Sequence, residues 1–383
     1  MYSSRLLIAV AVSACLGAPA FAQDSTIKIG VNQPLTGAVA ASGNMVTAGA
    51  KIAAEEVNAQ GGVLGKKLQL VIEDNKSNPT EAAGVAEKLI TRDKVPAMIG
   101  AWSSTYTLAV MPKLLEYKVP MIVETSSADK ITTLGNPYVF RISPTNGTEA
   151  KSFARFVDGL EIKKADFLVV NNDWGMGAAA EFGKMLKDKG LIVNRSLSMD
   201  ATAQDLSAQL ATLKSTDSDT LFVTTSVEQM TLLMKQAQGL GLKRRIITTG
   251  GTLPDQLIEQ AGSAANNSYH EAMFAPWFPD TAGDPALART FIAAWGKANL
   301  PASGMPEGAR GYDAVRVLAK AIEKAGAAES EKIRAALWEI SYAGLTGNVR
   351  FEKTGPEGKE SGQSPASTHL VKIEEGKVTL VSK

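Results

Sequence analysis

Three short segments rich in serine and threonine are the strongest candidates for a binding site in this sequence. Each follows within two residues an apolar run that predicts a buried β-strand. Hydroxyl groups beside the free N–H groups of a helix start can hold a carboxylate without a buried arginine. One such turn would be explained by helix capping alone, but three favour a ligand site. The segments are Trp102-Ser103-Ser104, Thr125-Ser126-Ser127 and Thr224-Thr225-Ser226.

Two tryptophans stand at similar places in the sequence. Trp102 and Trp174 both lie in turns that follow predicted strands, so their indole rings are expected near the same sheet edges as the hydroxyl groups. Such rings can cover an apolar or aromatic part of a ligand. They can equally pack against the helix that follows, and the sequence leaves both interpretations open.

Residues that could catalyse a reaction or bind a metal are sparse. The two histidines, His270 and His369, lie about a hundred residues apart, and neither has the spacing of a metal site. No Gly-x-Ser-x-Gly motif presents a serine nucleophile. We therefore expect a protein that is not an enzyme, with no catalytic residue, no metal and no cofactor.

One glycine-rich segment supports an alternative function. Gly175-Met176-Gly177-Ala178-Ala179-Ala180 follows a predicted strand and opens a helix, which is the context of a dinucleotide site. The next strand, residues 191–197, supplies no acidic residue at its end to bind a ribose hydroxyl. A nucleotide-dependent enzyme is therefore the weaker hypothesis.

Length and charge limit the remaining classes. The chain has 383 residues, 45% of them hydrophobic, which predicts roughly two domains with buried cores. Its 40 Lys and Arg balance 39 Asp and Glu without a basic block, so nucleic acid is not expected as a partner. After the first 22 residues no apolar run approaches the roughly 20 residues that cross a bilayer, and no membrane insertion is expected.

The first 22 residues have the pattern of a secretory signal peptide. Arg5 precedes an apolar run at 6–16, and Ala20-Phe21-Ala22 offers a cleavage site before Gln23. In the alternative, Cys15 is the lipidated residue of a lipoprotein signal. Cleavage after residue 22 would leave a mature chain without cysteine, so its stability must come from packed cores.

Beyond the signal peptide, short apolar strands alternate with amphipathic helices. Two such sets follow each other, the first with strands from residue 27 to 123 and the second from 167 to 248. This pattern predicts an α/β fold of two lobes, each with a doubly wound parallel sheet. A long helix at 307–324 carries an apolar stripe, but the pattern does not show which lobe it covers.

Many segments in one order resemble the type I periplasmic binding proteins of branched-chain amino acid importers, the leucine/isoleucine/valine-binding proteins. The resemblance covers nearly the whole mature chain. It is carried by Pro34-Leu35-Thr36-Gly37, Glu56-Val57-Asn58-Ala59-Gln60-Gly61-Gly62, Ile99-Gly100-Ala101-Trp102-Ser103-Ser104, Asn172-Asp173-Trp174-Gly175 and Gly344-Leu345-Thr346-Gly347-Asn348-Val349-Arg350-Phe351.

The resemblance implies two lobes joined by three hinge crossings, near 143–146, near 272–275 and near Arg350. Lobe 1 would contain residues 23–144 and 275–349, and lobe 2 residues 145–274 and 350–383. It also implies a periplasmic protein that captures a small ligand and delivers it to the membrane permease of an ABC transporter. A sensor with the same clamp is a further alternative that sequence does not separate from an importer.

The resemblance also assigns site residues. The ligand carboxylate would be held by Ser103, Ser104, Thr125 and Ser127, and Trp174 would cover the ligand. The positions that usually grip a ligand ammonium group match Ser42, Ser226 and Gly250, where the expected carboxylate is absent. An unpaired buried ammonium is costly, which argues against leucine, isoleucine or valine as the ligand. The candidate ligands are a branched or neutral amino acid, or a related carboxylate or amide without an ammonium group. The candidates for a substitute acid are Glu124, Asp173 and Glu228.

Overall fold

The computed structural model of the protein describes residues 26–251 and 253–382. The predicted signal peptide, residues 1–22, and the alternative lipidation site Cys15 lie outside these residues. The described chain forms two seven-stranded sheets and a two-stranded ribbon, with helices packed against both sheets. The prediction of an α/β fold with two doubly wound lobes is confirmed.

The first lobe begins with alternating strands and helices. Apolar strands such as β1 are buried because helices cover both faces of the sheet. The elements are β1 (Thr26–Gln33), α1 (Ala40–Ala59), β2 (Lys67–Asp74), α2 (Pro79–Thr91), β3 (Met98–Gly100), α3 (Ser104–Tyr117), β4 (Met121–Val123), α4 (Lys130–Thr133) and β5 (Val139–Arg141).

The second lobe repeats this architecture, with separate apolar cores on the two faces of its sheet. Its elements are α5 (Asn146–Phe153), β6 (Lys164–Val170), α6 (Asp173–Asp188), β7 (Ile192–Met199), α7 (Ser207–Lys214), β8 (Thr220–Thr224), α8 (Val227–Gly239), β9 (Arg245–Thr248), α9 (Pro254–Ala261) and β10 (Ser268–Ala272).

The chain then returns to the first lobe. Its long helix packs along α1, and Trp295 and Tyr312 join the same buried core as β1. The long helix predicted at 307–324 therefore covers the first sheet. These elements are α10 (Pro285–Lys297), α11 (Met305–Ala325), α12 (Ser330–Leu337), β11 (Tyr342–Ala343), β12 (Asn348–Val349), β13 (Glu352–Thr354) and β14 (Ser361–Gln363).

The last crossing differs from its predicted position near Arg350. Strand β14 pairs in parallel with β5, and β13 pairs with β14, so residues 350–363 belong to the first lobe rather than the second. Both strands have only three residues and are largely polar, so hydropathy does not mark them. The chain crosses after Gln363 and ends in the second sheet with β15 (His369–Glu374) and β16 (Lys377–Leu380).

The two sheets share one topology. The central strands run in the order β2-β1-β3-β4-β5 in the first lobe and β7-β6-β8-β9-β10 in the second, and all of these neighbours are parallel. The winding direction reverses beside β1 and β6. In open α/β sheets the ligand crevice lies at this point, outside the carboxyl ends of the strands.

Helices α1 and α11 approach each other very closely because glycines lie in their contact. A Cβ atom added at Gly49 would lie 1.8 Å from the carbonyl oxygen of Gly308, and one at Gly311 would lie 2.0 Å from that of Val46. Only a residue without a side chain fits such a contact. This packing fixes the position of α11 on the first lobe.

Replacing Gly49 by alanine is expected to destabilise the protein by about 1 to 3 kcal/mol, because the added methyl group overpacks the contact between α1 and α11. Gly84→Ala is the matched control, since Gly84 lies in α2 with nothing within 4 Å of an added Cβ. There alanine should stabilise the helix by up to about 1 kcal/mol. Urea unfolding of both variants checks the prediction, and equal midpoints would contradict it.

Candidate functional site in the cleft between the lobes

A cleft lies between the two lobes, at the carboxyl ends of the parallel strands of both sheets. It holds about 800 Å³ of space free of protein atoms, part of it open to solvent. The turns after β1, β3 and β4 line it from the first lobe. The turns after β6, β7, β8 and β9 line it from the second lobe.

Eight of the nine predicted site residues line this cleft. They are Trp102, Ser103, Ser104, Thr125, Ser127, Trp174, Ser226 and Gly250. The ninth, Ser42, is buried in α1 and is not part of the lining. The turn before α1 instead contributes Ala38 and Val39, whereas Ser42 is inside the helix and faces the protein interior.

Capping does not account for the serines at the two helix starts. Ser103 and Ser226 occupy the N-cap positions of α3 and α8, yet neither side chain makes a capping hydrogen bond. In the same protein Asn78 and Asn172 cap their helices through their side chains. The hydroxyl groups of Ser103 and Ser226 are therefore not used by the helices that they precede.

Two threonine hydroxyl groups in the cleft are buried without a partner in the described part of the chain. They are Oγ1 of Thr125, from the first lobe, and Oγ1 of Thr225, from the second. A buried hydroxyl without a hydrogen bond costs free energy, and such groups in a concave site favour a polar ligand. Ser104 differs, since its Oγ accepts a hydrogen bond from the N–H of Ala128 at 3.1 Å.

The two tryptophans hold different positions in the cleft. Trp102 is buried, and its Nε1 donates to Oε2 of Glu307 on α11 at 3.1 Å. Trp174 lies against the turn after β9, where an added Cβ at Gly250 would be 3.9 Å from its ring. Both rings line the cleft, and each also has a protein neighbour there.

An arginine lines the cleft, which the sequence prediction of purely neutral donors missed. Arg310 on α11 is buried, and its Nη1 lies 3.5 Å from Oε1 of Glu307. Within the described residues its Nε has no hydrogen-bond partner. The i,i+3 spacing of Glu307 and Arg310 was the available signal, because it places both charges on one face of the helix.

A carboxylate also lines the cleft. Glu149, in the first turn of α5, is buried, and its Oε1 accepts from Ser127 Oγ at 3.2 Å across the two lobes. Its Oε2 has no partner among the described residues. Burial raises the pKa of Glu149 to about 8, although the charge of Arg310 acts in the opposite direction.

None of the three substitute acids proposed from sequence lines the cleft. Glu124 is buried behind it, with Oε1 accepting from Nε2 of Gln33 at 2.7 Å, and burial raises its pKa to about 7. Glu228 is exposed on α8. Sequence missed Glu149 because it follows the first crossing, where hydrophobic periodicity gives no orientation.

Asp173, the third candidate, connects the lobes outside the main cleft. Its carboxylate accepts from Thr105 Oγ1 at 2.9 Å and pairs with Lys130 Nζ at 2.5 Å, and both partners belong to the first lobe. These bonds hold the pKa of Asp173 below its usual value, against the effect of burial. They stabilise the arrangement in which the lobes are in contact.

Packing explains the glycine-rich segment that suggested a dinucleotide site. A Cβ atom added at Gly175 would lie 2.1 Å from the carbonyl oxygen of Val170, and one at Gly177 would lie 2.5 Å from Nδ2 of Asn146. The side chain of Asn172 already accepts the N–H of Gly175 at 2.9 Å. The glycines therefore let α6 approach β6 and α5.

Two findings concern metals and membranes. Among residues 26–251 and 253–382, no three or more His, Cys, Asp or Glu side chains are grouped as metal ligands. No helix in this part of the chain combines the length and apolar character needed to cross a bilayer.

Comparison with known proteins agrees with this geometry. A leucine-, isoleucine-, valine-, threonine- and alanine-binding protein of Pseudomonas aeruginosa is 31% identical over 356 residues, 92% of each chain. The isoleucine complex of a branched-chain amino acid transporter substrate-binding protein from Streptococcus pneumoniae is 28% identical, with a TM-score of 0.81 over 94% of this chain and 100% of that one. A Rhodopseudomonas palustris solute-binding protein in complex with 3,4-dihydroxybenzoic acid is 24% identical, with a TM-score of 0.80 over 93% and 96%.

The two similar lobes and the cleft between them define a type I periplasmic binding protein. The model of the periplasmic binding protein family matches residues 26–363, and the chain belongs to that family. The resemblance found in sequence is thereby confirmed.

Gly251→Ala is expected to displace Trp174, because an added Cβ would lie 2.4 Å from the ring at Cη2. Gly241→Ala is the control: its φ of +65° matches the +67° of Gly251, but its surroundings are open. Both variants should lose about 1 kcal/mol to backbone strain, and only the first should change the near-UV circular dichroism of tryptophan. Equal spectra would contradict the contact.

Proposed function

We propose that this chain is the substrate-binding protein of an ABC importer in the periplasm. It captures a small molecule with a carboxylate group, a neutral amino acid or a related acid, between its lobes. It then delivers this ligand to the membrane permease. Cleavage of the signal peptide after residue 22 is part of the proposal.

Hydroxyl groups of the cleft that have no partner in the described part of the chain carry this proposal. Thr125 Oγ1 and the helix start at Ser103 and Ser104 face the cleft from one lobe, and Thr225 Oγ1 and Ser226 face it from the other. A ligand that binds groups of both lobes makes all of its hydrogen bonds only when the two lobes are close together. Ligand binding therefore shifts the protein towards the closed arrangement.

A thermal-shift screen of the ligand-stripped mature protein tests the function. The probes are amino acids, aromatic acids, short carboxylates, amides and nucleotides. A ligand at 100 times its Kd should add about 2.7 kcal/mol of stability. Stabilisation by carboxylates supports the proposal, whereas stabilisation by NAD alone would overturn it in favour of the nucleotide-dependent alternative.

Ser104→Ala and Thr125→Ala should each weaken binding of the carboxylate found in that screen by about 1 to 3 kcal/mol, because each removes a hydrogen bond to a charged group. Thr212→Ala is the control, since that hydroxyl bonds only within α7. Calorimetric titration gives the Kd values. If all three variants bind equally well, the carboxylate does not lie at this turn.

Asp173→Asn should increase the dissociation rate of the same ligand roughly threefold to tenfold, because it removes the charge that pairs with Lys130 when the lobes are in contact. Asp188→Asn is the control, since Asp188 pairs with Lys184 inside the second lobe. Stopped-flow displacement measures both rates. An unchanged rate in Asp173→Asn would show that this pair plays no part in closure.

A further inference from the structure

We infer that Glu149 is the residue that binds a cationic nitrogen of the ligand, in the space that Gly250 leaves open. The ligand is therefore an acid that also carries an ammonium group. This inference rests on the proposed capture of a carboxylate in the same cleft. It adds the residue that recognises the second charged group of the ligand.

The position of Glu149 gives the first argument. A Cβ atom added at Gly250 would lie 3.7 Å from Oε1 of Glu149, so this carboxylate lies where a side chain from position 250 would project. Position 250, in the turn after β9, carries no acidic side chain, and a carboxylate from α5 lies beside it. Glycine at position 250 keeps that space open.

The hydrogen bonds of Glu149 give the second argument. Ser127 occupies Oε1, while Oε2 is buried in the lining without a partner among the described residues. A buried carboxylate oxygen needs a donor, and an ammonium group supplies three. The free hydroxyl of Thr125 lies in the same lining, where it can hold the ligand's carboxylate.

The charges around Glu149 give the third argument. Arg310 on α11 and Arg141 on β5 favour its ionised form, whereas Asp129 and the buried Glu271 on β10 oppose it. Arg310 is also shared with Glu307 and lies near Glu124. Arg310 forms its ion pair with Glu307, and no cationic side chain of the described residues pairs with Glu149, so an ammonium group of the ligand supplies that partner.

Binding is consequently coupled to a proton. Burial raises the pKa of the free Glu149 to about 8, so at neutral pH it is mostly protonated. An ammonium group stabilises the ionised form and expels the proton, so affinity for an amino acid should rise as pH increases from 6 to 8. Affinity for the same acid without the ammonium group should fall over this range, because ionised Glu149 repels it.

Calorimetric titration with matched pairs of probes tests the inference. The pairs are leucine and 4-methylpentanoate, phenylalanine and 3-phenylpropanoate, and alanine and propanoate, each measured at pH 6, 7 and 8. At pH 7 the wild-type protein should prefer the amino acid in the pair that fits. Glu149→Gln keeps the hydrogen-bond acceptor for Ser127. It should weaken binding of the amino acid about ten- to a hundredfold and flatten the pH dependence of that binding.

Asp313→Asn is the matched control, because Asp313 on α11 is a buried carboxylate that does not line the cleft and accepts hydrogen bonds from the N–H groups of Leu345 and Thr346. It should keep the preference for the amino acid within about threefold and retain proton release. Wild-type preference for the acids without ammonium would overturn the inference and leave the proposed function intact. If neither member of any pair binds, the proposal that the cleft captures a carboxylate is wrong, and the inference about Glu149 is wrong with it. Melting temperatures of the ligand-free variants identify any loss through misfolding.

Discussion

Everything in this cleft depends on the parallel direction of the central strands. Because the five neighbouring strands of each sheet point the same way, the turns after them meet at one edge, together with the starts of the following helices. Residues as distant in sequence as Trp102, Trp174 and Gly250 become neighbours for this reason. The two edges face each other, so polar groups of both lobes meet in one space.

The free-energy cost of burying charge determines which ionised groups the cleft can contain. Arg310 is held among carboxylates, and Glu124 and Glu149 have raised pKa values because burial disfavours their ionised forms. The site also contains buried polar atoms that have no hydrogen-bond partner within residues 26–251 and 253–382. Packing alone would select apolar residues at such places, which supports the proposal that these residues contact the ligand.

Sequence predicted the architecture well because strand and helix periodicities are local. It located eight of the nine site residues in the lining because strand ends can be read from apolar runs. Glu149 and Arg310 were missed for a different reason: their roles depend on where α5 and α11 dock, which is a tertiary property. The polar strands β13 and β14 were missed as well, and the third crossing was consequently placed too early.

The corrected crossing has a practical consequence. Since β14 is in the first sheet and β15 and β16 are in the second, the first strand, which begins at Thr26, and the last strand, which ends at Leu380, belong to different lobes. A fluorescent donor attached near Thr26 and an acceptor attached near Leu380 would each report on a different lobe. Energy transfer between them would convert occupancy of the cleft into an optical signal, which makes the native chain order suitable for a genetically encoded biosensor.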